Sequence, residues 1–432
     1  MKDISTNEII HRAHLTIDGM IAQTIYSPGN SEFLLKCGDE IEYADSIPFN
    51  DNITYEPIDS IYLDHRQIIV PSDIIEECRP TVLAAELLQY YKDNLLIDEK
   101  LAILLTGYTI YSWLYDTTYT APYLYMIGEP GTAKSRILDL MANTCFNSTM
   151  LGVAVTAANI FRMQDMARGT QFIDEFESKY SDKDNSLVQI LNNGYKYDGV
   201  VMRCESDGGK HKPVPFNVFG PKVIAARTEP QDDALRSRCF VLRLQKPTIA
   251  ELHQHNIPLE FTGPSRKHAE KLRNKLLGLR FMYYHDMPVA FNKVESESLS
   301  PRAAQIINSI LSVVPREWLP GLQTALENHL FEDGISESLM HEKIIHHAIT
   351  QLSDEDGDGI HPSRIPFDKI RETIKLDHEI VFSPRDIGSF IKRLGYETTR
   401  TSTGMVVVCR NVDNVEDVAN INDSYAKDVE SV

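Results

Sequence analysis

The spacing of apolar positions divides the chain into regions of different predicted structure. Short apolar runs separated by turn residues through 1–75 predict a small β-rich N-terminal module. Helical periodicity over much of 76–120 predicts a helical lead-in. Strand-like and helix-like segments then alternate through 121–262, which is typical of an α/β core on a parallel sheet. Residues 263–352 are predicted to form a helical lid.

The C-terminal region has a different pattern, with two helices and two short strands within 360–411. Ser383 can cap the second helix and a proline follows it at the first helical position. This order resembles a winged helix, with Ser383–Leu394 as recognition helix, and it implies DNA contacts or, alternatively, protein contacts. The cations predicted to contact DNA are Arg385, Lys392, Arg393 and Arg400. Residues 412–432 predict a disordered acidic tail.

A glycine-rich loop joins an apolar strand, starting at Tyr123, to a helix. From Gly128 its sequence is Gly-Glu-Pro-Gly-Thr-Ala-Lys-Ser, which matches the phosphate loop G-x-x-x-x-G-K-[ST] except for Ala133. Alanine is the next smallest residue, so backbone N–H groups could still close around phosphates. We expect Lys134 to reach the β- and γ-phosphates of ATP and Ser135 to ligate Mg²⁺. The predicted nucleotide contacts are Gly128, Glu129, Pro130, Gly131, Thr132, Ala133, Lys134, Ser135 and Asp174.

A second segment supplies the carboxylates that ATP hydrolysis requires. About forty residues after Lys134, the sequence Gln-Phe-Ile-Asp-Glu-Phe ends an apolar run with Asp174 and Glu175. Asp174 is predicted to bind Mg²⁺, and Glu175 to polarise the attacking water as general base. Either motif alone also fits an ordinary helix cap or a solvated strand end. Their combination at this spacing predicts an ATPase.

Three later segments could complete such a site. Two alternating runs around Asp-Gly-Gly predict a hairpin over 199–217. Its tip carries Lys210, His211 and Lys212, which could touch DNA phosphates or form a solvated loop. Thr228 follows the next strand, where it could sense the γ-phosphate. The arginines that could stabilise charge during phosphoryl transfer are Arg238 or Arg236, and Arg302 near a helix N-terminus.

Composition limits the setting of this chemistry. The net charge of −19 argues against a protein that coats nucleic acid with its outer surface, although a local basic patch is enough to bind DNA in a pore. The six cysteines form no Cys-x-x-Cys pair, which favours a reduced cytoplasmic location and no metal other than Mg²⁺. No segment predicts a signal peptide or a membrane span, so we expect no membrane partner.

The order of these motifs resembles the AAA+ ATPases, and among them the MCM-like helicases. Gly-Glu-Pro-Gly-Thr-Ala-Lys-Ser, Phe-Ile-Asp-Glu-Phe and Ala-Leu-Arg-Ser-Arg-Cys-Phe carry the resemblance, which covers roughly residues 120–310. It implies Arg238 as an arginine finger on the neighbouring subunit's ATP and Arg302 as a second sensor. It also implies that the 199–217 hairpin lines the pore of a hexameric ring. Thr228 departs from the usual sensor asparagine, unless the register is shifted by one.

The resemblance is closest to the compact MCM-like replicative helicases of mobile genetic elements, because the N-terminal region is short and lacks zinc-binding cysteines. It implies an ATP-driven DNA helicase, a homo-oligomer, and replication or mobile-element protein partners. Two alternatives stay open. One is a nucleotide-switched loader or scaffold in transposition or defence, which does not unwind DNA. The other is a ring that remodels protein.

Overall fold

The chain forms two compact units, Met1–Leu330 and Phe331–Val432. The structure, a computed structural model, describes residues 8–76, 79–152, 156–176, 186–207, 210–230, 232–285, 299, 301–330, 344–352, 364–378, 382–394, 396–402 and 404–408. The predicted tail over 412–432 and the hairpin turn at 208–209 lie outside these residues.

The first unit contains fifteen described strands, and from residue 123 to β15 helices lie between most of the strands. The strands are β1 (Glu8–His11), β2 (His14–Ile17), β3 (Met20–Ser27), β4 (Asn30–Cys37), β5 (Glu40–Ala44), β6 (Ile47–Asn50), β7 (Ile53–Glu56), β8 (Ile68–Ile69), β9 (Tyr123–Ile127), β10 (Ser148–Leu151), β11 (Gln171–Ile173), β12 (Val200–Asp207), β13 (Lys210–Asn217), β14 (Lys222–Ala226) and β15 (Cys239–Arg243). The helices are α1 (Ser60–Asp64), α2 (Pro80–Asn94), α3 (Glu99–Ser112), α4 (Lys134–Ala142), α5 (Ala157–Ala167), α6 (Ser186–Gly194), α7 (Asp233–Arg236), α8 (Ile249–Gln254), α9 (Gly263–Tyr283), α10 (Pro301–Leu311) and α11 (Leu322–Leu330).

A six-stranded sheet in the order β15-β9-β14-β11-β10-β8 forms the centre of the first unit. Its first five strands pair in parallel, and the short β8 pairs antiparallel with β10. The strands β9 and β14 are almost wholly buried, as expected for a parallel sheet covered by helices on both faces. The predicted α/β fold with a parallel sheet is therefore confirmed.

The N-terminal strands form two small sheets that pack into the same unit as the core. Strands β2 to β5 make an antiparallel meander, and β7 lies between β1 and β6. The buried side chains of Gln23 on β3 and Asn147 before β10 share a hydrogen bond of 2.8 Å. Arg12 pairs with Asp165 of α5 at 2.9 Å. These contacts fix the N-terminal strands against the core.

The hairpin predicted over 199–217 is confirmed as β12 and β13, which pair antiparallel along their whole length outside the central sheet. Its flank packs on α5, where Arg162 lies over the Phe216 ring at 5.6 Å and pairs with Glu205 at 2.7 Å. His211 and Lys212 are exposed next to the turn. The side chain of Lys210 lies outside the described part of the chain.

The second unit has its own apolar core. Its elements are the helical residues 344–352 (α12), β16 (Arg364–Pro366), α13 (Phe367–His378), α14 (Pro384–Arg393), β17 (Glu397–Thr401) and β18 (Gly404–Val408). The strands form a sheet in the order β16-β18-β17. Ile345 and Ile349 of α12 pack with Ile387 of α14, so this helix belongs with the C-terminal region and not with the helices before residue 330.

A buried ion pair joins three parts of the first unit. Arg280 of α9 is fully buried and binds Asp116 bidentately, at 2.7 and 2.8 Å. His14 of β2 and Tyr284 contact the same carboxylate at 3.3 and 3.2 Å. Burial alone would raise the pKa of Asp116, but the Arg280 guanidinium holds it well below its usual range. The pair therefore fixes α9 against both the N-terminal strands and the segment that leads into β9.

We predict that Arg280→Met lowers the free energy of unfolding by about 3–5 kcal/mol, because it leaves the carboxylate of Asp116, which is only 13% exposed, without a cation. Urea unfolding at pH 7 measures the loss. The double change Arg280→Met with Asp116→Leu should recover much of it, since no unpaired charge then stays inside. A loss below about 1 kcal/mol in the single variant would contradict this role of the pair.

A buried lysine holds the base of the hairpin. Lys222, at the start of β14, is fully buried and donates hydrogen bonds to the carbonyl oxygens of Val218 (3.0 Å) and Gly220 (2.9 Å). Its Nζ lies 5.0 Å from the centre of the Tyr123 ring. Burial lowers the pKa of Lys222 from 10.5 to about 7. A neutral amine can still donate both bonds, so the hairpin base survives its deprotonation.

We predict that stability rises with pH between about 7 and about 10, because the unfolded chain there binds a proton that native Lys222 lacks. One proton gives a slope of up to about 1.4 kcal/mol per pH unit. Denaturant unfolding at several pH values would measure it. Lys222→Met should flatten the curve in this range, whereas Lys100→Met, at an exposed lysine of α3, should not. Equal curves for both variants would refute the assignment.

Candidate functional site

The glycine-rich loop connects the end of β9 to the start of α4 and has a tightly constrained backbone. A Cβ on Gly128 would lie 2.3 Å from Thr132 Oγ1, so only glycine fits there. Gly131 has φ of +90°. Ala133 also adopts the left-handed conformation, with φ of 65°, which costs an L-residue about 1–2 kcal/mol. This explains why glycine is usual at that position of the motif and shows that alanine still permits the turn.

Three residues predicted to bind nucleotide or Mg²⁺ lie together at this loop. Lys134 Nζ donates hydrogen bonds to the carbonyl oxygens of Gly128 and of Glu129, the latter at 3.1 Å. Ser135 Oγ donates to Asp174 Oδ2 at 3.1 Å. The hydroxyl and the carboxylate come from segments about forty residues apart in sequence. The fold therefore brings the two motifs into direct contact.

The two carboxylates follow β11, as the apolar run predicts. Asp174 comes directly after the strand, and its Oδ1 accepts the Glu175 N–H at 2.9 Å. Glu175 is exposed and has φ of 52°, a left-handed conformation that is uncommon for glutamate. Backbone strain of this kind concentrates at functional sites, where the surrounding structure maintains it. Phe176 N–H then donates a hydrogen bond to the Ala225 carbonyl at 2.9 Å, which ties the end of this segment to β14.

Strand β14 separates the loop strand from the carboxylate strand. It pairs with β9 on one side and β11 on the other. Thr228 lies two residues beyond its end and is exposed, and its carbonyl oxygen accepts a hydrogen bond from Tyr125 Oη at 3.2 Å. Because the strands are parallel, Thr228 emerges at the same edge as the loop and the carboxylates.

Lys246 is a second cation at the loop that sequence reasoning missed. Its Nζ lies 3.4 Å from where a Cβ on Gly131 would stand. It reaches that position because β15 pairs in parallel with β9, with Arg243 opposite Ile127, and the chain then continues alongside the loop. The sequence shows a lysine three residues after a predicted strand. Whether that lysine lies at the loop depends on β15 pairing with β9, which the sequence does not reveal.

The two arginines implied by the family resemblance lie on one aromatic ring. Arg238 and Arg302 are 5.5 and 5.3 Å from the centre of the buried Tyr195 ring. Arg238 also donates to the Ala234 carbonyl, and Arg302 donates to Gln305 at 2.7 Å. Arg236, the alternative to Arg238, instead pairs with Glu229 at 3.4 Å.

The residues at the edge of the sheet fit a phosphate chain with Mg²⁺. The loop is too tight for a side chain at Gly128, and it presents a lysine and a serine hydroxyl. A hydroxyl and a carboxylate are the oxygen ligands that Mg²⁺ prefers. Ser135 and Asp174 would hold the metal and Lys134 the phosphates. Among the described residues, no group of three or more His, Cys, Asp or Glu side chains is placed to bind a metal ion.

Five of the side chains predicted to contact DNA are described by the structure, and all five are exposed. His211 and Lys212 lie near the hairpin turn. Arg385 and Lys392 are exposed on α14, and Arg400 is exposed on β17. The side chain of Arg393 lies outside the described residues. In the part of the chain that is described, no helix has the length and apolarity needed to cross a bilayer.

Comparison with known proteins gives no family. No family model matches the chain, and no curated protein matches its sequence. A solved structure described as "The A form apo structure of NrS-1 C terminal region-CTR" aligns over 89% of this chain and 95% of its own, at 11% identity. The TM-score of that alignment is 0.35, too low to establish a shared fold.

Proposed function

We propose that this protein is an AAA+ ATPase that assembles a hexameric ring, as the MCM-like resemblance implies, and moves along DNA as a helicase of a mobile element. The observation that carries the proposal is the contact between Ser135 and Asp174 beside Lys134. A serine hydroxyl and a carboxylate that meet next to a glycine-rich loop and its lysine match the requirements of a Mg²⁺–triphosphate site.

Each residue at this edge of the sheet would have a separate role in ATP hydrolysis. Lys134, with Lys246 beside the loop, would neutralise phosphate charge. Ser135 and Asp174 would hold Mg²⁺, which offsets the negative charge of the phosphates when bound. Glu175 is exposed and free to take a proton from water as general base, and Thr228 would orient that water or sense the γ-phosphate.

The arginines would act on the ATP of the neighbouring subunit. Arg238 and Arg302 lie on the Tyr195 ring, and Tyr195 stands only five residues before β12, the first strand of the hairpin. The ring that both arginines contact and the base of the hairpin therefore belong to the same short segment of the chain. A movement of the arginines on ATP hydrolysis would reach the hairpin through this stretch.

DNA would meet the hairpin tip and the C-terminal unit. The exposed His211 and Lys212 give the tip a local cationic end in a chain of net charge −19. In the second unit, α13, α14 and the β17–β18 hairpin follow one another in the order expected of a winged helix. Exposed Arg385 and Lys392 on α14 would contact phosphates and recruit the substrate.

We predict ATP hydrolysis that single-stranded DNA stimulates more strongly than duplex does, with Lys134→Ala as the inactive control. Glu175→Gln should still bind ATP but hydrolyse it about 10²–10⁴-fold more slowly, since it loses the general base. Phosphate release with no DNA, single strands and duplex measures both effects. Full turnover by Glu175→Gln would contradict its role as base.

Substitutions in the hairpin distinguish a helicase, which unwinds DNA, from a nucleotide-switched loader or scaffold, which does not. Lys210→Ala with Lys212→Ala should abolish unwinding of a forked duplex while leaving ATP hydrolysis without DNA unchanged. Lys100→Ala with Lys271→Ala removes the same charge at exposed sites on α3 and α9 and should unwind normally. ATP hydrolysis that is indifferent to any DNA would instead favour a nucleotide-switched loader or scaffold.

A further inference from the structure

Four of the six Lys and Arg residues of α9 form two groups with different surroundings. Toward its C-terminal end, Arg280 binds Asp116 and Lys275 binds Glu86 at 2.6 Å, so these charges are neutralised inside the unit. Toward its N-terminal end, Arg266 and Lys267 are exposed and line a cavity of about 210 Å³. No part of the proposed ATPase mechanism uses this cavity.

The cavity lies where α9, the β8 segment and the C-terminal end of α4 meet. Its lining contains four basic side chains and one acidic side chain, Glu270. The lining residues are Tyr26, Pro28, Leu63, Arg66, Ile68, Ile69, Val70, Ser72, Asn143, Arg266, Lys267, Glu270 and Arg273. A cluster of this sign is unusual in a chain whose net charge is −19. The local field therefore favours an anion.

Two of the guanidinium groups are held in place by neutral oxygen atoms. Arg273 is 6% exposed and donates to the carbonyl oxygens of Val70 (2.9 Å) and Asn143 (2.7 Å). Arg66 donates to Asn143 Oδ1 at 2.6 Å. These bonds orient the groups without neutralising them, so their charge remains available to a ligand. Burial of this kind is costly for a cation that lacks an anionic partner.

The pKa shifts agree with this geometry. Burial lowers the pKa of Arg273 to about 10. The pKa of Arg66 is lowered by burial and by the charge of Arg266. Both shifts express unfavourable charge that an anion in the cavity would offset.

We propose that this cavity is a binding site for a small phosphate-class oxyanion, inorganic phosphate or pyrophosphate. A volume of about 210 Å³ lies below the roughly 300 Å³ at which pockets accommodate larger organic ligands, so a whole nucleotide does not fit. Guanidinium groups donate two parallel hydrogen bonds to phosphate oxygens, which suits the fixed Arg66 and Arg273.

The site is separate from the proposed nucleotide site. Asn143, which orients both guanidinium groups, caps the C-terminal end of α4, whereas the glycine-rich loop precedes its N-terminal end. The nine residues of α4 put roughly 13 Å of helix between them. Phosphate binding can therefore be tested in a protein whose loop lysine has been removed.

The experiment is calorimetric titration of inorganic phosphate, and separately of pyrophosphate, into the Lys134→Ala protein at constant ionic strength. We expect one site. Arg66→Gln with Lys267→Gln should weaken it about tenfold or more, since two charged donors are lost. The matched control, Lys100→Gln with Lys271→Gln, removes equal charge from exposed positions outside the cavity and should leave the affinity unchanged.

A second test looks for tighter phosphate binding. It does not depend on whether the Arg66→Gln with Lys267→Gln protein folds. Glu270→Gln removes the carboxylate of the lining and should tighten phosphate binding about threefold or more, because a like charge no longer repels the anion. Unchanged or weaker binding by Glu270→Gln would overturn the proposal. Absence of binding to the Lys134→Ala protein, or equal loss in the cavity and control double variants, would also overturn it.

Discussion

The parallel direction of the central strands places every predicted catalytic segment at one edge of the sheet. Because β9, β14 and β11 run in the same direction, the residues that follow each of them emerge side by side. A loop lysine, a threonine and two carboxylates therefore lie at the same edge of the sheet, although they are spread over about a hundred residues of sequence. The hydrogen bond between Ser135 and Asp174 is the direct expression of this arrangement.

The remainder of the first unit holds that edge in place through polar contacts in buried positions. Arg280 and Asp116 fix α9 to the segment before β9, and Gln23 ties the N-terminal strands to the residue before β10. Lys222 closes the base of the hairpin at the opposite end of β14 from Thr228. One strand thus joins the hairpin to the candidate catalytic edge, so the two can be mechanically coupled.

The sequence allowed the local elements to be predicted because their signals are local. Gly128 and Gly131 stand where the loop backbone requires glycine, and the apolar run before Asp174 marks a buried strand. The hairpin is marked by its turn residues. The position of Lys246 could not be predicted, because it depends on which strand pairs with β9. The contact of Arg238 and Arg302 with the same Tyr195 ring could not be predicted either. Nor could the cavity between α9, β8 and α4, because both depend on tertiary packing. The left-handed Glu175 had no sequence signal, since glutamate rarely adopts that conformation.

Equilibrium binding of a fluorescent ATP analogue, in the presence and absence of Mg²⁺, tests whether this edge of the sheet is a nucleotide site. We predict that the wild-type protein binds the analogue and that Lys134→Ala weakens binding at least about tenfold, because a charge-assisted contact to phosphate is lost. Ser135→Ala should remove most of the Mg²⁺ dependence, whereas Lys271→Ala should bind as the wild type does. Absence of binding, or equal affinity in the wild-type and Lys134→Ala proteins, would contradict a nucleotide site at this edge.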